Sequence, residues 1–242
     1  MTFLPRFFSD NINDNAVIIT GSDAVHIGRS LRMRLGDELL VCNNGIEYNT
    51  IIESISDEQV VCKIKSFQTS QTEPNVKLTL FQAMPKSDKL DFIVQKAVEL
   101  GVSKICTVIT SRCVSRPDKK SFEKKKKRLQ KIALEAAKQS GRGIIPEISD
   151  IITFDECLNL MGEQDLNLIC YEKGGISLRE AGLEGCSSIG LFIGSEGGFD
   201  QKEVDKCVEK GVKPVGLGKR ILRCETAPIT AISIIMFLTG NM

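Results

Sequence analysis

From residue 76 onward one pattern recurs: a short apolar run, then a stretch with helical periodicity. The runs are VKLTLFQA (76–83), ICTVIT (105–110), LNLICY (166–171), SIGLFIG (188–194) and KPVGLG (213–218). Strands alternating with helices in this way predict an α/β domain, a parallel sheet with covering helices. Two of the intervening stretches carry an orderly stripe. In 88–100, Leu90, Ile93, Val94, Ala97 and Leu100 share one face and Gly101 supplies a stop; in 119–140, Phe122, Leu129, Ile132, Ala133 and Ala136 do the same.

The first part of the chain reads differently. AVIIT, ELLVCNN, EYNTIIESI and QVVCKIKSF are short strands broken by Gly21, Gly36-Asp37, Asn43-Asn44-Gly45 and Ser56-Asp57, which predicts a small β-barrel. SQTEPN (70–75) is a polar linker with a proline, so the domains are expected at 1–72 and 73–242. Charge divides along the same line. Residues 1–73 hold 6 Lys or Arg against 10 Asp or Glu, whereas residues 112–142 alone hold 12 against 3. That density suits a phosphate backbone and equally suits a solvated helix face.

Nine cysteines, none in a CxxC pair, indicate neither a disulfide framework nor a zinc site, and no metal is expected. Reduced thiols, no signal-peptide pattern in MTFLPRFFSDN and no apolar run long enough to span a bilayer predict a cytoplasmic protein.

Two of the apolar strands end in glycine-rich turns, FIGSEGGF (192–199) and VGLGKRILR (215–223). Ligands of open α/β sheets sit beyond the carboxyl ends of the strands, so a nucleotide-like ligand is expected there. Neither turn has the spacing of a phosphate-cradling loop. The second leads into APITAISIIMFL (227–238), a helix expected to be buried on most sides, with Thr226 as its cap and Pro228 in its first turn. Glu225 suits the positive end of that helix, but Arg220 and Arg223 do not. Arginines placed against a helix dipole point to an anionic or carbonyl-rich partner.

FIGSEGGFDQKEVD (192–205) together with LGKRILRCETAPIT (217–230) resembles the RsmE-type ribosomal RNA uridine-N3 methyltransferases of the SPOUT superfamily. PRFF (5–8), HIGRSLRMRLGD (26–37), PKSDKLDFIVQKAVELGVSKI (85–105) and KIALEAAKQSGR (131–142) extend the likeness over nearly the whole chain. The resemblance implies an N-terminal PUA-like β-barrel followed by a SPOUT α/β domain with a C-terminal trefoil knot. It further implies a homodimer that uses S-adenosyl-L-methionine to methylate N3 of a uridine in 16S ribosomal RNA, as free RNA or in the small subunit. The cofactor would be held by Tyr171, by Ile193, Gly194, Gly197 and Gly198, and by Gly216, Leu217, Gly218, Ile221, Leu222 and Arg223.

Arg223 and Glu225 are the catalytic candidates. The arginine would stabilise charge on the base carbonyls, and the glutamate would orient it or accept the imino proton. Candidate RNA contacts are Arg6, His26, Arg29, Arg32 and Arg34 in the barrel, with Lys86, Arg112 and Arg142 beyond it. Ser195, Cys224 and Pro228 depart from the family pattern, and the first two bear on cofactor affinity. Two other readings fit the residues: an RNA-binding protein that has lost methyl transfer, and an unrelated α/β enzyme acting on a nucleotide or small metabolite.

Overall fold

A computed structural model describes residues 4–242, which divide into two compact units. The first comprises the described part of Met1–Glu73 together with Ala137–Ile144; the second comprises Pro74–Ala136 and Ile145–Met242.

The first unit contains β1 (Arg6–Phe8), β2 (Ala16–Thr20), β3 (Glu38–Asn43), β4 (Ile46–Ile55) and β5 (Gln59–Thr69) in one sheet of order β1-β3-β4-β5-β2. Alternate side chains face inward along these strands. Val17 and Ile19 of β2, Leu39 and Val41 of β3, and Val60 and Cys62 of β5 form the core with Phe7 and Ile27. Register shifts within β4 at Asn49/Thr50 and Ile52/Ser54 bend the sheet. After β2 a single helical turn, α1 (Ser22–Val25), continues into a wider turn at His26–Ser30, closed by Leu31 N–H donating to the His26 carbonyl at 2.9 Å.

Residues 137–144, which the sequence assigns to the second domain, belong to this unit for electrostatic reasons. The Lys138 ammonium meets Asp23 at 2.8 Å and lies 5.6 Å from the centre of the Phe7 ring. The Arg142 guanidinium meets Glu73 at 2.6 Å, and Glu73 also accepts from the Gly143 and Ile144 amides.

The second unit is the expected parallel sheet. Its strands are β6 (Lys77–Ala83), β7 (Lys104–Ile109), β8 (Glu147–Ile148), β9 (Ile152–Thr153), β10 (Leu166–Cys170), β11 (Ser188–Ile193) and β12 (Lys213–Val215). Their order is β12-β10-β11-β6-β7-β8, with β9 also on β7, and every pairing is parallel. Its helices are α2 (Lys89–Glu99), α3 (Lys119–Ser140, whose last residues lie in the first unit), α4 (Phe154–Met161), α5 (Gln201–Glu209) and α6 (Thr226–Leu238). The predicted stripe of α2 is its buried face: Leu90, Ile93, Val94 and Ala97 are all inaccessible.

Two details place the site. Beyond β10, residue Ile176 returns to β12: Ile176 N–H donates to the Pro214 carbonyl at 3.1 Å and Gly216 N–H to the Ile176 carbonyl at 3.0 Å. β12 is therefore flanked by β10 on one side and by Ile176 on the other, so the intervening residues 171–175 cross over it. Only a glycine fits at the crossing, because a Cβ on Gly175 (φ 138°) would lie 2.5 Å from the Pro214 oxygen. At the start of α6, Thr226 is the first helical residue and not the cap. The Arg223 carbonyl accepts from both Thr226 and Ala227 N–H at 2.9 Å, so the backbone itself satisfies these donors and Glu225 occupies the cap position.

Candidate active site

β12, β10 and β11 are neighbours in the sheet, so the loops leaving their carboxyl ends converge. They enclose a cavity of about 550 Å³. Tyr171 enters from the end of β10. Ile193, Gly194, Gly197 and Gly198 come from β11 and its loop. Gly216, Leu217, Gly218, Ile221, Leu222 and Arg223 come from the segment between β12 and α6. All eleven residues assigned to a cofactor from the sequence thus line one space.

The glycine loop after β11 is fixed from several sides. Gln82, fully buried at the end of β6, donates to the Gly194 carbonyl at 3.2 Å, and Arg112 donates to the Gly197 carbonyl at 3.0 Å. A Cβ on Gly197 would press to 3.0 Å from the Arg112 Cβ and 3.3 Å from its carbonyl oxygen, so the loop packs tightly against Arg112. Tyr171 is anchored at both ends, its N–H on the Val215 carbonyl at 3.0 Å and its hydroxyl on Gln201 at 2.8 Å. Ser195 is buried, its hydroxyl 3.4 Å from the Arg112 carbonyl.

The two catalytic candidates separate. Arg223 lines the cavity with an exposed side chain that makes no ion pair among the described residues. Glu225 is not among the lining residues; its carboxylate is 3.0 Å from the Lys89 ammonium and accepts from the Cys224 thiol at 3.3 Å. The reason is local. As cap of α6, Glu225 faces the first residue of α2 and not Arg223.

The same ammonium lies 3.2 Å from Glu196, whose carboxylate also accepts from the Lys86 N–H at 3.0 Å. Hydrogen bonding to Glu225, and then to Glu196, raises the Lys89 pKa above the ordinary lysine value against the opposing effect of burial. Burial by itself would raise Glu225 and Glu196, but the Lys89 contacts and backbone hydrogen bonds outweigh it and hold both carboxyls below their ordinary value. Burial, reinforced by the neighbouring Glu225 and Glu196, pushes the Cys224 thiol up to about 12, so it stays protonated. Lys89 and Glu196 are cavity residues absent from the sequence assignment. Lys89 stands in the first turn of a helix, against its dipole, but Lys119 and Lys120 at the start of α3 do the same, so this local signal does not single it out.

The RNA candidates sort by exposure. His26, Arg29, Arg32 and Arg34 are exposed on the first unit, Arg29 in a solvated pair with Asp57. Arg6 and Arg142 are not surface groups. Arg6 donates to Glu47 at 2.8 Å with the two side chains 15% and 8% exposed, and the Arg142 side chain is 4% exposed. In the second unit Lys86 is exposed, and Arg112 is exposed but occupied by Gly197 and, at 3.6 Å, Asp200.

A family model described as an RNA methyltransferase domain matches residues 72–236, and an RNA methyltransferase PUA domain matches residues 19–65. The chain belongs to the RNA methyltransferase family. Ribosomal RNA small subunit methyltransferase E of Bacillus subtilis is 36% identical over 91% of this chain and 90% of its own length. The protein of the same name from Buchnera aphidicola is 30% identical over 98% and 95%. The crystal structure of a ribosomal RNA small subunit methyltransferase E from Neisseria gonorrhoeae bound to S-adenosyl methionine superposes with a TM-score of 0.89 at 30% identity, covering 98% of each chain. Family membership removes the reading of an unrelated metabolite enzyme. Among the described residues no helix is long and apolar enough to cross a membrane.

Proposed function

We propose that this chain transfers the methyl group of S-adenosylmethionine to N3 of a uridine in small-subunit (16S) ribosomal RNA. The observation that carries the reading is the cavity itself, at the carboxyl ends of adjacent parallel strands in a chain of this family. The residues fit such a cofactor. The volume lies within the roughly 300–1,000 Å³ of small-molecule sites, nothing lies within 4 Å of where a Cβ on the lining residues Gly216 and Gly218 would stand, and no phosphate-binding loop is present for a ligand that has no phosphate. When bound, S-adenosylmethionine supplies a methyl group activated on a sulfonium.

The chain's own residues supply alignment and charge. N3 of uridine is a poor nucleophile until its imino proton leaves. Arg223, unpaired at the cavity wall, donates to the base carbonyls and stabilises the anion formed as that proton departs. Glu225 acts through Lys89, to which it is bound.

The first unit serves as the RNA-binding PUA-like domain, with His26, Arg29, Arg32 and Arg34 as its contacts; Arg6 and Arg142 are excluded by their internal pairs. The crossing of residues 171–175 over β12 supports a trefoil knot of SPOUT type in residues 166–225. The protein works in the cytoplasm as a homodimer. That assembly is supported by the outward apolar side chains Phe237 and Ile234 of α6 and Phe92 of α2, 66%, 36% and 46% exposed.

The test is transfer of labelled methyl to small-subunit particles from cells lacking the protein, wild type beside Arg223→Ala. Label recovered as N3-methyluridine with wild type, and reduced about a hundredfold or more in the variant, is the expected result. No transfer to particles or to free RNA would leave a binding protein without catalysis.

A further inference from the structure

We propose that Lys89 is a further binding residue for the acceptor base, donating a hydrogen bond to one of its carbonyl oxygens while Glu196 and Glu225 position the ammonium. The inference deepens the methyl-transfer reading and rests on it for its kinetic test.

Lys89 is a cation in an unfavourable place. Lys89 opens α2, where the helix dipole disfavours positive charge, and its side chain is 31% exposed at the wall of the cavity. A lysine that served only solubility would point to solvent. This one is brought to the cavity by two carboxylates from separate loops, Glu196 after β11 and Glu225 before α6.

An ammonium has three N–H donors. Two directions are taken by Glu196 at 3.2 Å and Glu225 at 3.0 Å. Among the described residues the third finds only the Cys224 sulfur at 3.6 Å, a weak acceptor because the thiol is protonated and itself donates to Glu225. A better oxygen acceptor entering the cavity would take that direction at little cost.

Charge is divided along the wall. Lys89 with its two carboxylates carries about −1 locally, while Lys219, Arg220 and Arg223 outweigh Glu172 on the rest of the lining. The Lys89 corner therefore suits a neutral pyrimidine carbonyl better than a carboxylate, which has the cationic remainder of the wall to meet. Arg223, on the same wall, offsets charge that develops on the base later. Lys89 and Arg223 would thus hold the base together, one fixed by carboxylates and the other free to move.

The experiment compares wild type, Lys89→Met and Lys89→Arg, with Glu225→Gln as a variant that loosens the ammonium without removing it. Cofactor affinity is measured by calorimetry without RNA, kcat and KM are measured on small-subunit particles, and urea unfolding checks that each variant is folded. Expected is about a hundredfold loss of kcat/KM in Lys89→Met with cofactor affinity changed by less than about threefold, partial recovery in Lys89→Arg, and an intermediate loss in Glu225→Gln.

An equal fold loss in cofactor affinity would mean that the ammonium serves the cofactor, and unchanged kcat/KM would mean that it serves neither; both overturn the proposal. If wild type transfers no methyl at all, the methyl-transfer reading falls separately. Lys89 is then decided by the NMR signal of its labelled side-chain Cε. A shift on adding uridine but not S-adenosylmethionine supports the proposal, and no shift with uridine overturns it.

Discussion

Replacing Arg6 by methionine tests whether this arginine touches RNA or holds the first unit together. Its guanidinium donates to Glu47 at 2.8 Å, to the Arg142 carbonyl at 3.2 Å and to the Cys42 sulfur at 2.9 Å. Removing one partner of a buried ion pair costs about 3–5 kcal/mol because the other charge is left without its counterion. Glu47 keeps two donors, the Ser70 hydroxyl at 2.8 Å and the Gln68 amide at 3.3 Å, which places the loss near the lower end, about 3 kcal/mol. That is roughly a hundredfold in the folding equilibrium of this unit.

Urea unfolding followed by circular dichroism reads it, with the midpoint lowered by roughly 1–2 M. The double variant Arg6→Met with Glu47→Gln isolates the cause. With no charge stranded, it should regain most of the loss, since replacing a whole buried pair is often near neutral. Below the transition, both should bind small-subunit ribosomal RNA like wild type. If Arg6→Met instead unfolds at the wild-type midpoint yet binds RNA more weakly, Arg6 reads RNA and the pair with Glu47 contributes nothing.

Gly197→Ala should weaken S-adenosylmethionine binding about tenfold by calorimetry, because the added carbon meets Arg112 backbone and Cβ atoms at 3.0–3.3 Å and strains the loop that lines the cavity; unchanged affinity would show that Arg112 gives way instead of the loop. Acid should destabilise the protein through Glu47, Glu196 and Glu225, whose carboxyls are held below the ordinary value of 4.5 in the folded chain. Their contribution is complete above that value and is lost as pH falls through the folded values, so thermal midpoints should decline below about pH 4.5. Midpoints that stay level down to pH 3 would show that these carboxylates bind protons alike in both states.

The strands and glycine turns were legible because their signals are local. An apolar run such as 188–194 needs only its own residues to declare a buried strand, and it appears as Ser188–Ile193. The eleven positions expected to hold a cofactor meet in one cavity for the related reason that neighbouring parallel strands bring their loops to one end. β1 was not legible as a strand: it has three residues, and its parallel pairing with β3 depends on residues more than thirty positions away. Charged residues were the hardest to read. Composition marks an arginine in an acidic barrel as a surface group, yet Arg6 finds its carboxylate 41 residues along the chain and is buried by it.

Lys89 illustrates the same effect with the opposite outcome. Its sulfur neighbour is 135 residues away and its two carboxylates lie in loops of different strands, so nothing within its own helix distinguishes it from the solvated lysines of α3. Its conflict with the helix dipole is shared by Lys119 and Lys120, which open α3, so what distinguishes Lys89 is the pair of distant carboxylates that compensate it. Half-buried Arg6, buried Arg142 and half-buried Lys89 are all cations with carboxylates aimed at them, but of the three it is Lys89 that lines the cavity. Compensation therefore marks a charge that the fold has placed deliberately, and it is the open space beside the charge that separates a structural pair from one with a ligand still to meet.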